Sequence, residues 1–362
     1  MTGNYSRAGV APELVVGPST ASPERSRSIL VAPDSFKGTF TAERVAAAIG
    51  AGVGDAGWSC DLCPVADGGE GTASALLHAG GGRVLSFPTT DPLGRPIYGS
   101  VALLGNGAVA VVEAASASGL SLLSDSERDV MQSSTEGTGL LIVAAVELGA
   151  RHVLVAAGGS ATVDYGRGAL AAISSSGGLR GASLTVLCDV DTTWEDCARI
   201  FGPQKGARPE QVRELQRLAA PEAARLPRNP LGVPMSGAAG GLAGALWAAL
   251  DAELTAGAAH VLSAVQFDHR LARATATITG EGCVDSQSAM GKIVGEIGRR
   301  ASATTVPAHA IAGSVGLRRH ESIAGIASVT VATTLAEIRL AARRLGLELR
   351  GAQGCVLDGA HR

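Results

Sequence analysis

The stretch Pro64-Val65-Ala66-Asp67-Gly68-Gly69-Glu70-Gly71-Thr72 sets two carboxylates and three glycines between an apolar run, Leu62 to Val65, and a segment that reads as helix, Ala73 to Ala79. Glycines at such a place let the backbone approach a partner closely or take φ > 0. Free N–H groups at a helix start favour an anion, yet Asp67 and Glu70 would repel a bare phosphate. A divalent cation removes the conflict, because Mg2+ is held by one or two carboxylates together with nucleotide phosphates. The loop therefore suits a metal–nucleotide or a hydroxylated substrate. Taken alone it reads better as a glycine-rich turn whose Glu70 favours the helix dipole.

Three more loops tip the balance. Ser28 to Ala32 runs into Pro33-Asp34-Ser35-Phe36-Lys37-Gly38-Thr39, His152 to Ala156 into Gly158-Gly159-Ser160-Ala161-Thr162, and Ala274 to Thr279 into Gly280-Glu281-Gly282-Cys283-Val284-Asp285. Each puts acids, hydroxyls or glycines past the C-terminal end of a buried strand, where open α/β sheets bind ligands.

The elements carrying these loops alternate strand and helix. Thr41 can cap a helix to about Val53, with Ala42, Val45, Ala46 and Ile49 spaced at three and four. Cys60 to Val65 reads as a strand, Gly80-Gly81-Gly82 as the end of the helix that follows, and Val84 to Phe87 as a further strand. The texture then changes: Asp91 to Pro96 is turn chemistry, and Tyr98–Leu104 with Ala108–Glu113 flank Gly105-Asn106-Gly107 as a hairpin. Helices are expected over Thr135–Leu148, from about Arg167, over Pro209–Leu226 and Gly240–Leu250, with a strand at Leu184–Leu187 ending in Cys188-Asp189. Parallel texture returns from Ala274, with helix Gly291–Ala301, strands Ala308–Ala312 and Ala327–Ala332, and a helix from Leu335 that Gly346 is placed to end. The expected fold is α/β in two domains: a discontinuous parallel-sheet, Rossmann- or flavodoxin-like domain (28–88 and 270–350) and an inserted mixed α/β domain (89–269). Residues 1–27 read as a disordered tail and 351–362 as frayed.

The composition agrees. The chain has 362 residues, comfortable for two domains, and is 46% hydrophobic but only 3% aromatic, so Ala, Val, Leu and Ile must build a core of helices on parallel strands. A net charge of -3 with no basic stripe argues against nucleic acid. No apolar run approaches the ~20 residues of a membrane span, and without an apolar signal core the expected location is cytoplasmic. Cys60 and Cys63 stand at C-x-x-C spacing without a second pair and read as small apolar residues; the seven histidines show no metal-ligand spacing. No P-loop or protein-kinase motif is present. Gly166-Arg167-Gly168-Ala169-Leu170-Ala171 fits G-x-G-x-x-A with Asp189 about twenty residues on, so nicotinamide dinucleotide binding stands as an alternative, although the glycines come late after their strand.

Taken together, Pro33-Asp34-Ser35-Phe36-Lys37-Gly38, Ala66-Asp67-Gly68-Gly69-Glu70-Gly71-Thr72, Gly158 to Thr162, Cys188-Asp189-Val190, Phe201-Gly202-Pro203-Gln204-Lys205-Gly206-Ala207, and Thr279-Gly280-Glu281-Gly282 with Asp285, Gln287, Gly291 and Lys292 resemble the glycerate kinase family of the type that phosphorylates glycerate at its 2-hydroxyl. The motifs keep the family's order over roughly residues 28 to 350. The resemblance implies ATP, Mg2+, a glycerate-like hydroxy acid and the two-domain fold above, and it admits a homodimer. Phosphoryl transfer needs positioning and charge stabilisation more than covalent chemistry. Under this resemblance Lys37, Asp67 and Asp189 are the catalytic candidates, with Lys37 neutralising phosphate charge and Asp189 orienting or deprotonating the attacking hydroxyl. Gly158, Gly159, Ser160, Thr162, Gly280, Gly282 and Lys292 are the expected nucleotide contacts. Asp34, Ser35, Gly68, Gly69 and Lys205 are the expected substrate contacts, and Glu70, Glu281 and Asp285 the expected metal ligands. The plainer alternatives are helix caps for Asp189, Ser160 and Thr162 and surface positions for the lysines.

The chain departs from the family's pattern near the site. Val163 stands for Asn, Tyr165 for Gly, Thr192-Thr193 for Asn-Pro, and Cys283 for the Arg after Gly-Glu-Gly. An Arg is the natural bidentate partner of a carboxylate, so Cys283 predicts weak glycerate binding that Cys283→Arg would improve. A non-catalytic relative that binds nucleotide or a small acid is the remaining alternative.

Overall fold

The computed structural model describes residues 28–285, 288, 292–317 and 321–359, with side chains as far as 351. The 1–27 tail, Gln287 and Gly291 lie outside the described residues. In chain order the strands are β1 (Ser28–Pro33), β2 (Ser59–Leu62), β3 (Gly82–Thr90), β4 (Pro96–Leu104), β5 (Val109–Glu113), β6 (His152–Ala156), β7 (Ser183–Cys188), β8 (Glu253–Ala256), β9 (Ala276–Val284), β10 (Ala308–Val315) and β11 (Ile326–Val331). The helices are α1 (Ala42–Asp55), α2 (Thr72–Gly80), α3 (Ala115–Ser118), α4 (Glu136–Glu147), α5 (Arg167–Ser175), α6 (Cys197–Phe201), α7 (Pro209–Ala223), α8 (Leu242–Leu250), α9 (Gly257–Ala264), α10 (Phe267–Arg273), α11 (Ile293–Ser302) and α12 (Leu335–Gly359).

Two sheets organise the chain. The first has order β11-β10-β9-β1-β2 and every pairing in it is parallel. Its strands are apolar enough to be covered on both faces: α1 and α12 lie on one side, with Val45, Ile49 and Ile338 against Ile29 and Val31, and α9, α10 and α11 on the other, with Leu262, Phe267 and Ile297 against Leu30 and Ala32. Strand order reverses between β1 and β9, the kind of switch point at which doubly wound sheets open a crevice. The second sheet has order β3-β4-β5-β6-β7-β8; β3, β4 and β5 are antiparallel and the rest parallel. The fold is thus α/β with one parallel and one mixed sheet.

Helix α1 starts as expected, with the Thr41 side chain accepting from Arg44 N. Five other readings are corrected. The Gly280–Val284 segment is strand, not loop, because β9 continues through it beside β10. Gly346 does not end α12, and the expected frayed end from Gly351 is helical to Gly359. Trp58 Nε1 donates to Gly346 O at 2.8 Å, and a Cβ there would stand 2.8 Å from that of Ala56, so this glycine serves packing. The helix expected from Gly240 begins at Leu242, after Ala239, Gly240 and Gly241 in left-handed conformation. The expected boundaries at 88/89 and 269/270 fall inside β3 and α10; the chain passes between sheets near Gly81 and again near Gly257. Strand β8 and helices α9 and α10 stand between Leu250 and Ala274, where no element was expected.

Helix α2 follows a strand of the first sheet yet packs on the second, with Leu76, Ala73 and Leu77 against Val111, Leu154 and Leu187. Together with α9 it bridges the sheets. Among the described residues, no helix is long and apolar enough to cross a membrane.

Candidate active site

The loop after β2 is clamped between the sheets by backbone contact. A Cβ on Gly158 would lie 2.6 Å from Gly69 Cα; one on Gly68, at φ 98°, would lie 2.9 Å from Gly257 Cα. Only glycine permits this approach. Glu113, at the end of β5, completes the clamp: its Oε1 accepts Gly71 N at 3.1 Å and Ala73 N at 2.8 Å. The N–H groups expected to draw an anion to the start of α2 are therefore already used. Glu113 was missed in the sequence, although a carboxylate ending a buried strand was the same signal that marked Asp189.

Two cavities open on either side of this clamp. The first, about 390 Å3, lies over the β1/β9 switch point and is lined by Asp34, Ser35, Lys37, Asp67, Glu281, Gly282, Cys283, Asp285 and Lys292 with the hydroxyls of Thr39, Ser314 and Thr333. The second, about 310 Å3, lies past the ends of β6 and β7. It is lined by Gly158, Gly159, Ser160, Asp189 and Lys205, an apolar wall of Leu120, Ile200 and Phe201, and again Lys37 and Lys292. Lys37 and Lys292 stand where the two cavities meet.

Asp34 and Asp67 are 3% and 2% exposed, whereas Lys37 is 56% exposed. Lys37 Nζ donates to Asp67 Oδ2 at 3.0 Å, and Gly69 N donates to Asp67 Oδ1 at 3.2 Å. Asp34 N donates to Gly280 O at 2.8 Å and ties β1 to β9. Burial, then the charge of Asp67, raises the pKa of Asp34 and of Asp189. Burial alone would lower Lys37, but Asp67 and Asp34 outweigh it and hold its ammonium above the ordinary value. Glu281 is 6% exposed; burial pushes it up to about 7 against the hydrogen bond that Ser288 donates. In the second cavity Lys205 is buried, donating to Ser160 Oγ at 2.9 Å and Thr162 O at 2.8 Å, and desolvation lowers its pKa to about 8.

The structure redistributes the residues expected from the sequence. Ser160, Gly158 and Gly159 share a cavity with Lys205, not with Gly282, which lies across the join beside Asp34 and Ser35. Thr162, Gly280, Gly68 and Gly69 are structural neighbours of the cavities and line neither. Glu70 is exposed and lines neither cavity, so it does not join Glu281 and Asp285. Among the described residues no group of three or more His, Cys, Asp or Glu is disposed to hold a metal unaided.

The dinucleotide fingerprint is overturned by its surroundings. A Cβ on Gly166 would meet that of Ala245 at 2.4 Å, and one on Gly168 would meet Ser134 Oγ at 2.1 Å. Asp164 accepts from Gly166 N and Gly168 N at 3.1 Å each, using the N–H groups a pyrophosphate would need. These glycines pack α5 and face no cavity. Val163 and Tyr165 likewise face inward: Tyr165, at φ 54°, packs against Trp194 with ring centroids 4.9 Å apart and planes tilted by 37°, and donates from its hydroxyl to Leu215 O at 2.7 Å. Val163, Tyr165, Trp194, Ala198 and Leu215 form one satellite core.

The model of the glycerate kinase family matches residues 29–176 and 174–346. The chain belongs to the glycerate kinase family. It is 37% identical over 325 residues to glycerate kinase of Bacillus subtilis, covering 79% of this chain and 85% of the relative. It is 35% identical over 342 residues to glycerate 2-kinase of Escherichia coli, covering 83% and 90%. The crystal structure of a protein assigned as glycerate kinase 2 of Salmonella typhimurium LT2 superposes with a TM-score of 0.76 at 31% identity, covering 91% of this chain and all of the other. The chain is therefore a phosphotransferase, and the nicotinamide alternative is set aside.

Proposed function

We propose that this glycerate kinase family member transfers the terminal phosphoryl group of ATP to the 2-hydroxyl of glycerate, giving 2-phosphoglycerate and ADP. The observation that carries the reading is that Lys37 and Lys292 line both cavities, so one pair of cations spans the path between a donor and an acceptor. The second cavity suits the nucleotide: its apolar wall fits a base, and Gly158-Gly159, Ser160 and buried Lys205 suit phosphate oxygens. The first suits the acceptor, since carboxylates and hydroxyls accept from and donate to a substrate's hydroxyls.

Glu281, poised at about pKa 7, is the general base in this reading; a base tuned near the working pH is the most effective. It takes the proton of the 2-hydroxyl as that oxygen bonds to phosphorus and the bond to the bridging oxygen of ADP breaks. Lys37 and Lys292 hold the transferred group's charge. Asp189, expected as the base, stands beside Gly158 and in this reading serves the phosphates. The charge of Asp67 raises the pKa of Asp189, and these two hard carboxylates would hold Mg2+ beside the phosphates. When bound there, Mg2+ supplies charge neutralisation across the phosphates.

A coupled ADP-release assay with ATP, Mg2+ and glycerate tests this, and enolase added without a mutase reports the product. ADP release with immediate enolase turnover is expected. ADP release that needs the mutase would assign the 3-hydroxyl, and no ADP release would overturn the reading.

A further inference from the structure

We propose that the phosphoryl donors of this chain are the purine nucleoside triphosphates as a class, ATP and GTP alike, and that Gln204 is the residue that reads the base. The inference rests on the placement of the nucleotide in the second cavity. Gln204 and Lys205 are neighbours in one short turn of 3-10 helix, Pro203–Lys205, just after α6. Successive side chains of such a turn diverge by about 120°. Lys205 points inward and is bonded to Ser160 Oγ and Thr162 O, whereas Gln204 is exposed and lines the cavity. The turn itself is held firmly. Lys205 N and Ala207 N both donate to Gly202 O at 3.0 Å, and at Gly206, with φ 88°, a Cβ would lie 2.8 Å from that of Arg128. Gln204 is therefore an amide free to turn on a fixed backbone.

The wall beside it takes the face of a ring and leaves the edge to this amide. The Phe201 ring centroid lies 5.7 Å from Lys205 Nζ, so the apolar wall begins next to the phosphate-binding lysine. Ile200, 42% exposed, offers apolar surface that a base would cover. Leu120 N is already engaged by Gly159 O at 2.9 Å. Among the described residues lining this cavity, the uncharged side chains able to hydrogen-bond are Ser160 and Gln204. Ser160 accepts from Lys205, and the Gln204 amide has no partner among the described residues. Adenine carries an amino donor at C6 and guanine a carbonyl acceptor. An amide has an end for each. Sites that reject an analogue strongly do so because buried polar groups are left unpaired, and an exposed amide carries no such penalty. Pyrimidines cover less of the wall. The transfer is the same with either purine: the hydroxyl of glycerate loses its proton, its oxygen bonds to the terminal phosphorus, and the bond to the bridging oxygen of ADP or GDP breaks.

The test measures phosphoglycerate formed by the full chain from glycerate with ATP, GTP, CTP or UTP. Added mutase and enolase give a readout independent of the nucleotide and of the hydroxyl phosphorylated. In the wild type, kcat/KM with GTP is expected within roughly tenfold of that with ATP, and both pyrimidines at least roughly tenfold lower. Gln204→Glu keeps the acceptor and loses the donor, so the ratio of ATP to GTP should rise by about tenfold. Gln204→Leu should raise KM for both purines and leave their ratio unchanged. Thermal midpoints confirm that the variants fold, and the wild-type panel decides by itself if they do not. GTP below about one hundredth of ATP, equal turnover with the pyrimidines, or a ratio that Gln204→Glu leaves unchanged or moves toward GTP would overturn the inference while leaving the phosphotransferase reading intact. No phosphoglycerate from any nucleotide would remove both.

Discussion

Glu281 carries the sharpest expectation at the level of single residues. Its carboxyl must be ionised to act as a base, and burial sets its pKa at about 7. Activity as kcat/KM should therefore fall as pH drops through 7, and Glu281→Gln should lose both that acid limb and a factor of about 10²–10⁴ in rate. The same shift has a cost in stability. A carboxyl whose folded pKa lies above its unfolded value favours the folded state only while protonated, so stability falls as pH rises from about 4.5 to 7. Glu281→Gln should then be more stable than the wild type at pH 8, by at most on the order of 3 kcal/mol, with the gain gone at pH 4; urea unfolding at the two pH values measures it. Lys205 has the opposite sign. Desolvation leaves its folded pKa near 8, so an anion bound beside it should draw in a proton at pH 8 to 8.5. Calorimetric titration of ATP in buffers of different ionisation enthalpy reads that uptake. If nucleotide binding takes up no proton there, Lys205 does not face the phosphates. Lys37, Asp67, Glu281 and Asp189 were legible as residue types at strand ends. The pKa shifts of Lys37, Glu281 and Asp189 were not, because desolvation and the charges around each depend on distances the sequence does not contain.

The elements are joined at two kinds of contact, backbone against backbone and carboxylate against helix start. Gly158 sits against Gly69 so closely that any side chain must part them. Gly158→Ala should cost about 1–3 kcal/mol, as overpacking does, and should lower kcat, because it displaces the Asp67 loop from Lys37. Glu113 caps α2 from the neighbouring sheet. Glu113→Ala should destabilise by about 0.5–2 kcal/mol, the cost of a lost cap, while Glu113→Gln, which keeps an acceptor oxygen, should restore most of it; equal losses in the two variants would show that the cap is not what Glu113 contributes. Reading glycines as turns misplaced two segments for the same reason. Gly280 lies within β9, where a Cβ would meet Ile311 O at 2.4 Å, and Gly346 lies within α12 against Trp58. A glycine required by a close neighbour and one required by a turn look alike in one dimension.

At the scale of the whole molecule, the cleft exists because α2 and α9 bind two sheets into one body around the Gly68–Gly158–Gly257 contact. A donor and an acceptor held on its two sides should stabilise the fold together. With Mg2+ present, a non-hydrolysable ATP analogue at a hundred times its Kd should add about 2.7 kcal/mol, and chelation should remove a large share of that gain, since Asp67 and Asp189 would again face phosphate with only Lys37 and Lys292 to offset them. A midpoint insensitive to chelation would argue against metal at these carboxylates. The sequence by itself determined the class of fold, the strand-end loops and, through ordered motifs, the family, because apolar periodicity and glycine-rich spacing are local properties of the chain. Only the tertiary structure decided which loops share a cavity. Ser160 lies with Lys205, and Gly282 with Asp34, because strand order, not chain order, sets which ends meet. It also decided that Glu70 stands apart, that Glu113 belongs to the clamp, and that the Gly166 fingerprint is packing; each turns on what approaches from a distant part of the chain, and that is written in no local pattern.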